Sequence, residues 1–175
     1  MRSLAGAGAS VICLGEALVD RLGPLGGDPA VDQPVEDHLG GAPANVACGL
    51  ARLGTPVIFA GRLGADLNGA AFEDLFVNRG IDHALLQRDP QRPTRIVLVR
   101  RSQDGERQFQ GFCGDQGLGY ADQALEPMRL PMARWLLIGT IPLATAVSAL
   151  SLAEAVEQAR VQRTAIALDL SLIHI

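Results

Sequence analysis

The chain has 175 residues, 48% hydrophobic and 19% charged, which is enough apolar mass for one domain with a buried core and too little charge for a disordered chain. A net charge of −4 and an aromatic content of 4%, with an isoelectric point of about 5.3, argue against nucleic acid or an anionic membrane as a partner. All 15 basic residues are Arg and none is Lys, so a P-loop lysine, a protein-kinase strand lysine and Schiff-base chemistry are all excluded.

Residues 1–14 hold one Arg among small apolar residues. A leader peptide is one reading; the better one is a buried parallel strand over 10–15, because Val11-Ile12-Cys13-Leu14 runs straight into Gly15-Glu16. Residues 22–34 are rich in Gly, Pro and Asp and read as loop. Gly40-Gly41 precede a helix over 42–53, with Val46, Leu50 and Leu53 on one face, Pro43 in the first turn and Gly54 as the stop. A strand over 56–60, a loop over 61–69, a helix over 70–79 ended by Gly80 and a short strand over 81–87 follow.

Residues 94–101 and 106–112 are extended runs joined by Ser102-Gln103-Asp104-Gly105, a hairpin signal. Neither of its faces is cleanly polar, which suggests a flap with one side against a ligand or a partner chain. A strand over 134–139 then leads to a helix over 143–160. That helix is apolar nearly all round, with a narrow stripe of Thr145, Ser148, Glu154 and Glu157, and is expected to be largely buried. A last strand over 164–169 ends in Asp169.

The alternation predicts an α/β fold: a parallel sheet with helices on both faces and a small antiparallel flap. Ligands of such sheets bind beyond the carboxyl ends of the strands. Glu16, Asp20, Gly61, Asp66, Gly139 and Asp169 all fall there. Carboxylates at that edge suit sugar hydroxyls or a hydrated metal, or are simply solvated. Cys13, Cys48 and Cys113 form no C-x-x-C pair and the three His lack metal-ligand spacing, so reduced thiols and a cytoplasmic location are expected. No apolar run is long enough to span a bilayer.

The most specific segment is Gly40-Gly41-Ala42-Pro43-Ala44-Asn45-Val46-Ala47. Two glycines before a helix let backbone approach a ligand, the first-turn N–H groups are unpaired, and Asn45 offers a donor and an acceptor to a hydroxyl. With Gly54 and Gly64 at matching spacing, this segment resembles the N-terminal signature of the PfkB (ribokinase-like) family of carbohydrate kinases. Gly15-Glu16-Ala17-Leu18-Val19-Asp20 looks like that family's opening strand and sugar-binding loop. Gly64-Ala65-Asp66-Leu67-Asn68-Gly69 looks like its next turn, and Pro93-Thr94 with the hairpin like its lid. Ile138-Gly139-Thr140-Ile141-Pro142-Leu143 is similar to a segment usual in its fructokinases.

The resemblance implies a ribokinase-like fold with lid segments at about 32–40 and 94–112, and transfer of a phosphoryl group from ATP, with Mg²⁺, to a primary hydroxyl of a hexose. Asp20 and Asn45 would grip sugar hydroxyls beside the Gly40-Gly41 backbone. Arg95 and Phe109 would close over the sugar, although Arg95 reads equally as an exposed strand charge and Phe109 as flap packing. Asp169 would mark the edge of the site. A homodimer through the lid is a further implication, with no nucleic-acid or membrane partner. Within the family, 2-keto-3-deoxygluconate kinase and ribokinase are the alternatives to fructokinase; outside catalysis, a sugar-binding module is another.

Two departures stand out. The family's general base lies in a D-T-x-G-A-G-D-like signature, and no such motif occurs in these 175 residues. The chain is therefore expected to be an N-terminal portion lacking the nucleotide-binding half, and inactive in isolation. After Asp169 the family usually continues Asp-x-Asn-x-Arg, whereas Ser171 and Ile173 stand at those positions here. Residues 171–175 are accordingly expected to be a non-native continuation, and the uncovered sheet to limit solubility.

Overall fold

The computed structural model of the chain describes residues 11–170; the start of the first expected strand, the leader reading and the expectation for 171–175 lie outside them. Five parallel strands form the central sheet: β1 (Val11–Leu14), β4 (Val57–Gly64), β5 (Asp82–Asp89), β8 (Trp135–Ile138) and β9 (Ala165–Leu168), in the order β5-β4-β1-β8-β9. A second sheet of β2 (Leu18–Leu25), β3 (Glu36–Gly40), β6 (Ile96–Arg101) and β7 (Arg107–Cys113) has the order β3-β2-β6-β7. The helices are α1 (Ala42–Arg52), α2 (Leu67–Arg79) and α3 (Ala146–Val161).

Strand alternation divides the core. Ile12 and Leu14 of β1 point, with Leu136 and Ile138, toward Leu152, Ala155 and Ala159 of α3. Cys13 between them joins Phe59, Ala44 and Ala47 of α1, and Phe72 and Phe76 of α2 on the other face. Fully burying each large apolar side chain contributes about 1.5–3 kcal/mol. From β1 the sheet grows toward β4 and β5 on one side and toward β8 and β9 on the other, so the crevice between the carboxyl ends of β1 and β8 is the topological switch point.

The second sheet is mixed. The antiparallel β6–β7 pair matches the expected hairpin; the antiparallel β2–β3 pair adds two strands that the sequence did not predict, and β2 and β6 run parallel. The loop expected over 22–34 is strand as far as Leu25. Leu22 pairs with both Glu36 and Val99, and a register shift between Leu22 and Leu25 absorbs Gly23 and Pro24, whose ring nitrogen has no proton to donate.

The third helix also differs from expectation. Ser148, expected on the narrow polar stripe, is fully buried, and its Oγ accepts from Leu125 N–H (3.0 Å) and donates to Asp122 O (3.1 Å). Val147, Leu150 and Val161 are exposed instead. Composition could not orient a helix with apolar residues on all sides; the buried polar groups of the 3₁₀ turn Ala121–Ala124 did so by requiring Ser148 as a partner.

Candidate functional site

Asp20 lies in β2 opposite His38 of β3 and Val97 of β6. Two residues back, Leu18 faces Gly40, the last residue of β3. The Asp20 carboxylate rests over Gly40, where any Cβ would collide with Asp20 Oδ2. Burial raises the Asp20 pKa above the ordinary carboxylate value, against the opposing charges of Arg107 and His38. Among the described residues no donor is hydrogen-bonded to it.

Gly41 follows with φ 97°, and a Cβ there would stand 2.7 Å from Glu16 O and 3.0 Å from Ala17 Cα. Only glycine fits that conformation and space. It caps α1 through its backbone alone: no side chain accepts from the first turn, and Pro43 has no N–H to satisfy. The first helical bond runs from Asn45 N–H to Gly41 O at 2.9 Å. Asn45 is exposed one turn into α1. Asp20, Gly40, Gly41 and the start of α1 are thus contiguous, with the helix's positive end beside a carboxylate.

Phe109 shares the Asp20 face of the second sheet. Asp20 pairs with Val97 and Val97 with Phe112, while Leu22 pairs with Val99 and Val99 with Phe109. The two Phe rings meet edge to face at 5.1 Å. Leu18 and Val97 of this face pack on Ile141, just past the end of β8, which turns the face toward the switch point.

Arg95 is neither an exposed strand charge nor a free lid cation. It is 4% exposed, and its Nε and Nη2 each donate to Asp122 at 2.7 Å. A buried guanidinium requires a carboxylate, and Asp122 takes the fork of Arg95, the residue also expected to close over a ligand. Asp122 carried no signal of its own in the sequence.

Glu16 is the residue whose weight the sequence did not reveal beyond its place at a strand end. It is 1% exposed, and Oε2 finds no hydrogen-bond partner among the described residues. Burial pushes its pKa up to about 7, with Asp122 and Asp169 adding to the rise; its own N–H and that of Ile141 favour the anion. A Cβ on Gly139 would collide with Oε2, so glycine at 139 makes room for this carboxyl in the switch point. Asp169, whose N–H donates to Ile138 O at 2.9 Å, borders the same crevice. Among the described residues no three carboxylate, imidazole or thiol groups are placed to hold a metal ion.

A doubly wound parallel sheet with a separate small mixed sheet packed near its switch point is the architecture of ribokinase-like carbohydrate kinases. The chain belongs to the pfkB family of carbohydrate kinases, whose profile matches residues 9–171. It is 38% identical to Escherichia coli fructokinase over 138 residues, 77% of this chain and 42% of that one. It superposes on Halothermothrix orenii fructokinase with a TM-score of 0.77 at 27% identity, covering 91% of this chain and 56% of that one. Fructokinase with bound ATP from Xylella fastidiosa gives a TM-score of 0.76 at 28% identity, covering 93% and 49%. The chain therefore spans about half the length of these relatives. Among the described residues no helix is long and apolar enough to cross a membrane.

Proposed function

We propose that the protein is the sugar-binding and lid-bearing portion of a fructokinase-type enzyme, which moves the γ-phosphoryl of ATP to a primary hydroxyl of a hexose, fructose first. The observation that carries this reading is the half-buried Asp20 carboxylate, without a hydrogen-bond donor among the described residues, lying on Gly40 beside the start of α1, which no side chain caps. A carboxylate accepts from two vicinal hydroxyls, Asn45 both donates and accepts, and first-turn N–H groups take a further hydroxyl oxygen. Phe109 on the lid covers an apolar face of the sugar and excludes water, which otherwise competes as acceptor. The chain's contribution is positioning.

ATP supplies the phosphoryl group. It enters the proposal through the family and the ATP-bound Xylella enzyme. Mg²⁺ comes with it; the described residues offer no cluster for the ion, and no step here runs through it. With no D-T-x-G-A-G-D-like signature in the sequence, we assign the general base to a segment other than these 175 residues, so that the chain alone binds sugar without turnover. Pairing through the lid and a cytoplasmic location belong to the same proposal.

Calorimetry on the 175-residue chain with fructose, 2-keto-3-deoxygluconate and ribose, in parallel with D20A, tests this reading. Fructose binding lost in D20A supports it, and binding of one of the other two sugars reassigns the substrate. A folded chain that binds none overturns it. Ordinary turnover in a coupled ATP–fructose assay overturns the assignment of the base.

A further inference from the structure

The lid sheet joins the body at the root of β6, at Thr94 and Arg95. Arg95 belongs to the lid, for its carbonyl accepts from Val19 N–H of β2 at 2.9 Å. Asp122 belongs to the body. It sits in the 3₁₀ turn Ala121–Ala124, whose backbone Ser148 of α3 holds by the bonds described above. One ion pair, 4% and 2% exposed at its two side chains, therefore bridges lid and body. The guanidinium also lies 4.6 Å from the ring centre of Phe112 in β7 and 4.4 Å from that of Tyr120, where the chain returns from the lid. Phe112 in turn meets Phe109. From Asp122 outward, contacts run unbroken to the aromatic pair on the Asp20 face.

Such a pair does little for stability. The cost of desolvating both ions offsets most of their attraction, and well-packed apolar residues of similar volume usually do as well or better. What two parallel 2.7 Å bonds from a planar fork supply is a fixed angle. Thr94 makes a second attachment one residue earlier, its N–H and Oγ donating to Asp66 at 2.7 and 2.8 Å. Together the two define a direction for β6 as it leaves the body.

We propose that Arg95 and Asp122 form a latch that sets the orientation of the lid sheet, so that Arg95 acts as a positioning residue that carries Phe112 and Phe109 to the Asp20 face. The latch itself follows from the contacts alone; its consequence for sugar rests on the function proposed above.

The test is amide hydrogen exchange on the 175-residue chain with three proteins: the parent, R95M/D122L and R95K. The double variant removes both charges and keeps the volume, so its melting temperature should match or exceed the parent's. Exchange across β6 and β7 should nevertheless rise about tenfold or more, with α1 and α2 unchanged. R95K keeps the charge but loses the fork; it should show the same pattern at about threefold or more. Parent-like lid exchange in the double variant overturns the latch, as does acceleration spread evenly over the chain. If the double variant does not fold, R95K decides by the same two criteria. In calorimetry, R95M/D122L should weaken fructose by about tenfold. A parent that binds no fructose sinks the proposed function but leaves the exchange result to decide the latch.

Discussion

Asp20 and Gly40 divide one small volume between two strands: the carboxylate of the first fills the place a side chain on the second would take. G40A must therefore displace the carboxylate or part β2 from β3. Overpacking of this kind costs about 1–3 kcal/mol. The expected outcome is a fall in fructose affinity of about tenfold or more, read by calorimetry, with a lower urea midpoint. Unchanged affinity in a folded G40A protein would remove Asp20 from the site.

Much of the backbone geometry around the candidate site was legible in the sequence. Gly41 is readable because paired glycines ahead of an apolar-faced helix mark a tight turn, and its φ of 97° is a conformation that glycine adopts readily. Gly80, at φ 66°, ends α2 as expected. What could not be read are relationships that exist only after the chain has folded back on itself. Arg95 and Asp122 are 27 residues apart, and nothing local says that one is the other's partner. Glu16 looks like any loop carboxylate until β8 lays Gly139 against it. The parallel β2–β6 pair was hidden by Gly23 and Pro24, loop signals that a register shift absorbs.

Glu16 gives the fold a pH dependence. Its pKa rises from 4.5 in the open chain to about 7 when folded. A carboxyl with a raised folded pKa contributes stability that is fully present below about pH 4.5 and is lost as pH climbs through about 7. The loss is about 3 kcal/mol. Urea unfolding of parent and E16Q between pH 5 and 8 should show the parent weakening relative to the variant, which carries no ionisable group at 16. Parallel curves would contradict the assignment.

The same group reports on the latch. Asp122 raises the Glu16 pKa by its charge, and Arg95 neutralises that charge. R95M leaves the aspartate unbalanced and should move the Glu16 midpoint upward; D122N leaves the guanidinium unbalanced and should move it downward. Carbon-13 NMR of the Glu16 carboxyl measures both. Shifts of the same sign would mean that the two substitutions act through general loosening of the fold.

Asp66 anchors the neighbouring turn. It caps α2 through Gly69 N–H at 2.8 Å and receives both the N–H and the hydroxyl of Thr94. Burial works to raise its pKa, but these three donors prevail and hold it below the ordinary carboxylate value. Its contribution is thus present above the unfolded pKa and lost as pH falls through the folded one. D66A should cost about 2–3 kcal/mol in urea unfolding. T94S retains every polar bond and should cost less than about 1 kcal/mol. Equal losses in the two would place the effect in packing by the Thr94 methyl.

Phe109 separates function from stability most cleanly. It is 48% exposed, so truncating it gives up little buried area. What F109A loses in the free protein is mainly the edge-to-face contact with Phe112, about 0.5–1 kcal/mol. If the lid closes on a sugar, the same ring becomes buried and its absence is felt only in the complex. The expected result is a melting temperature within about 4 °C of the parent and a fructose affinity reduced about three- to tenfold. F109L, which restores apolar bulk without the ring, should recover part of that affinity. A variant that melts early and binds normally would make Phe109 a packing residue of the flap, with no part in closing it.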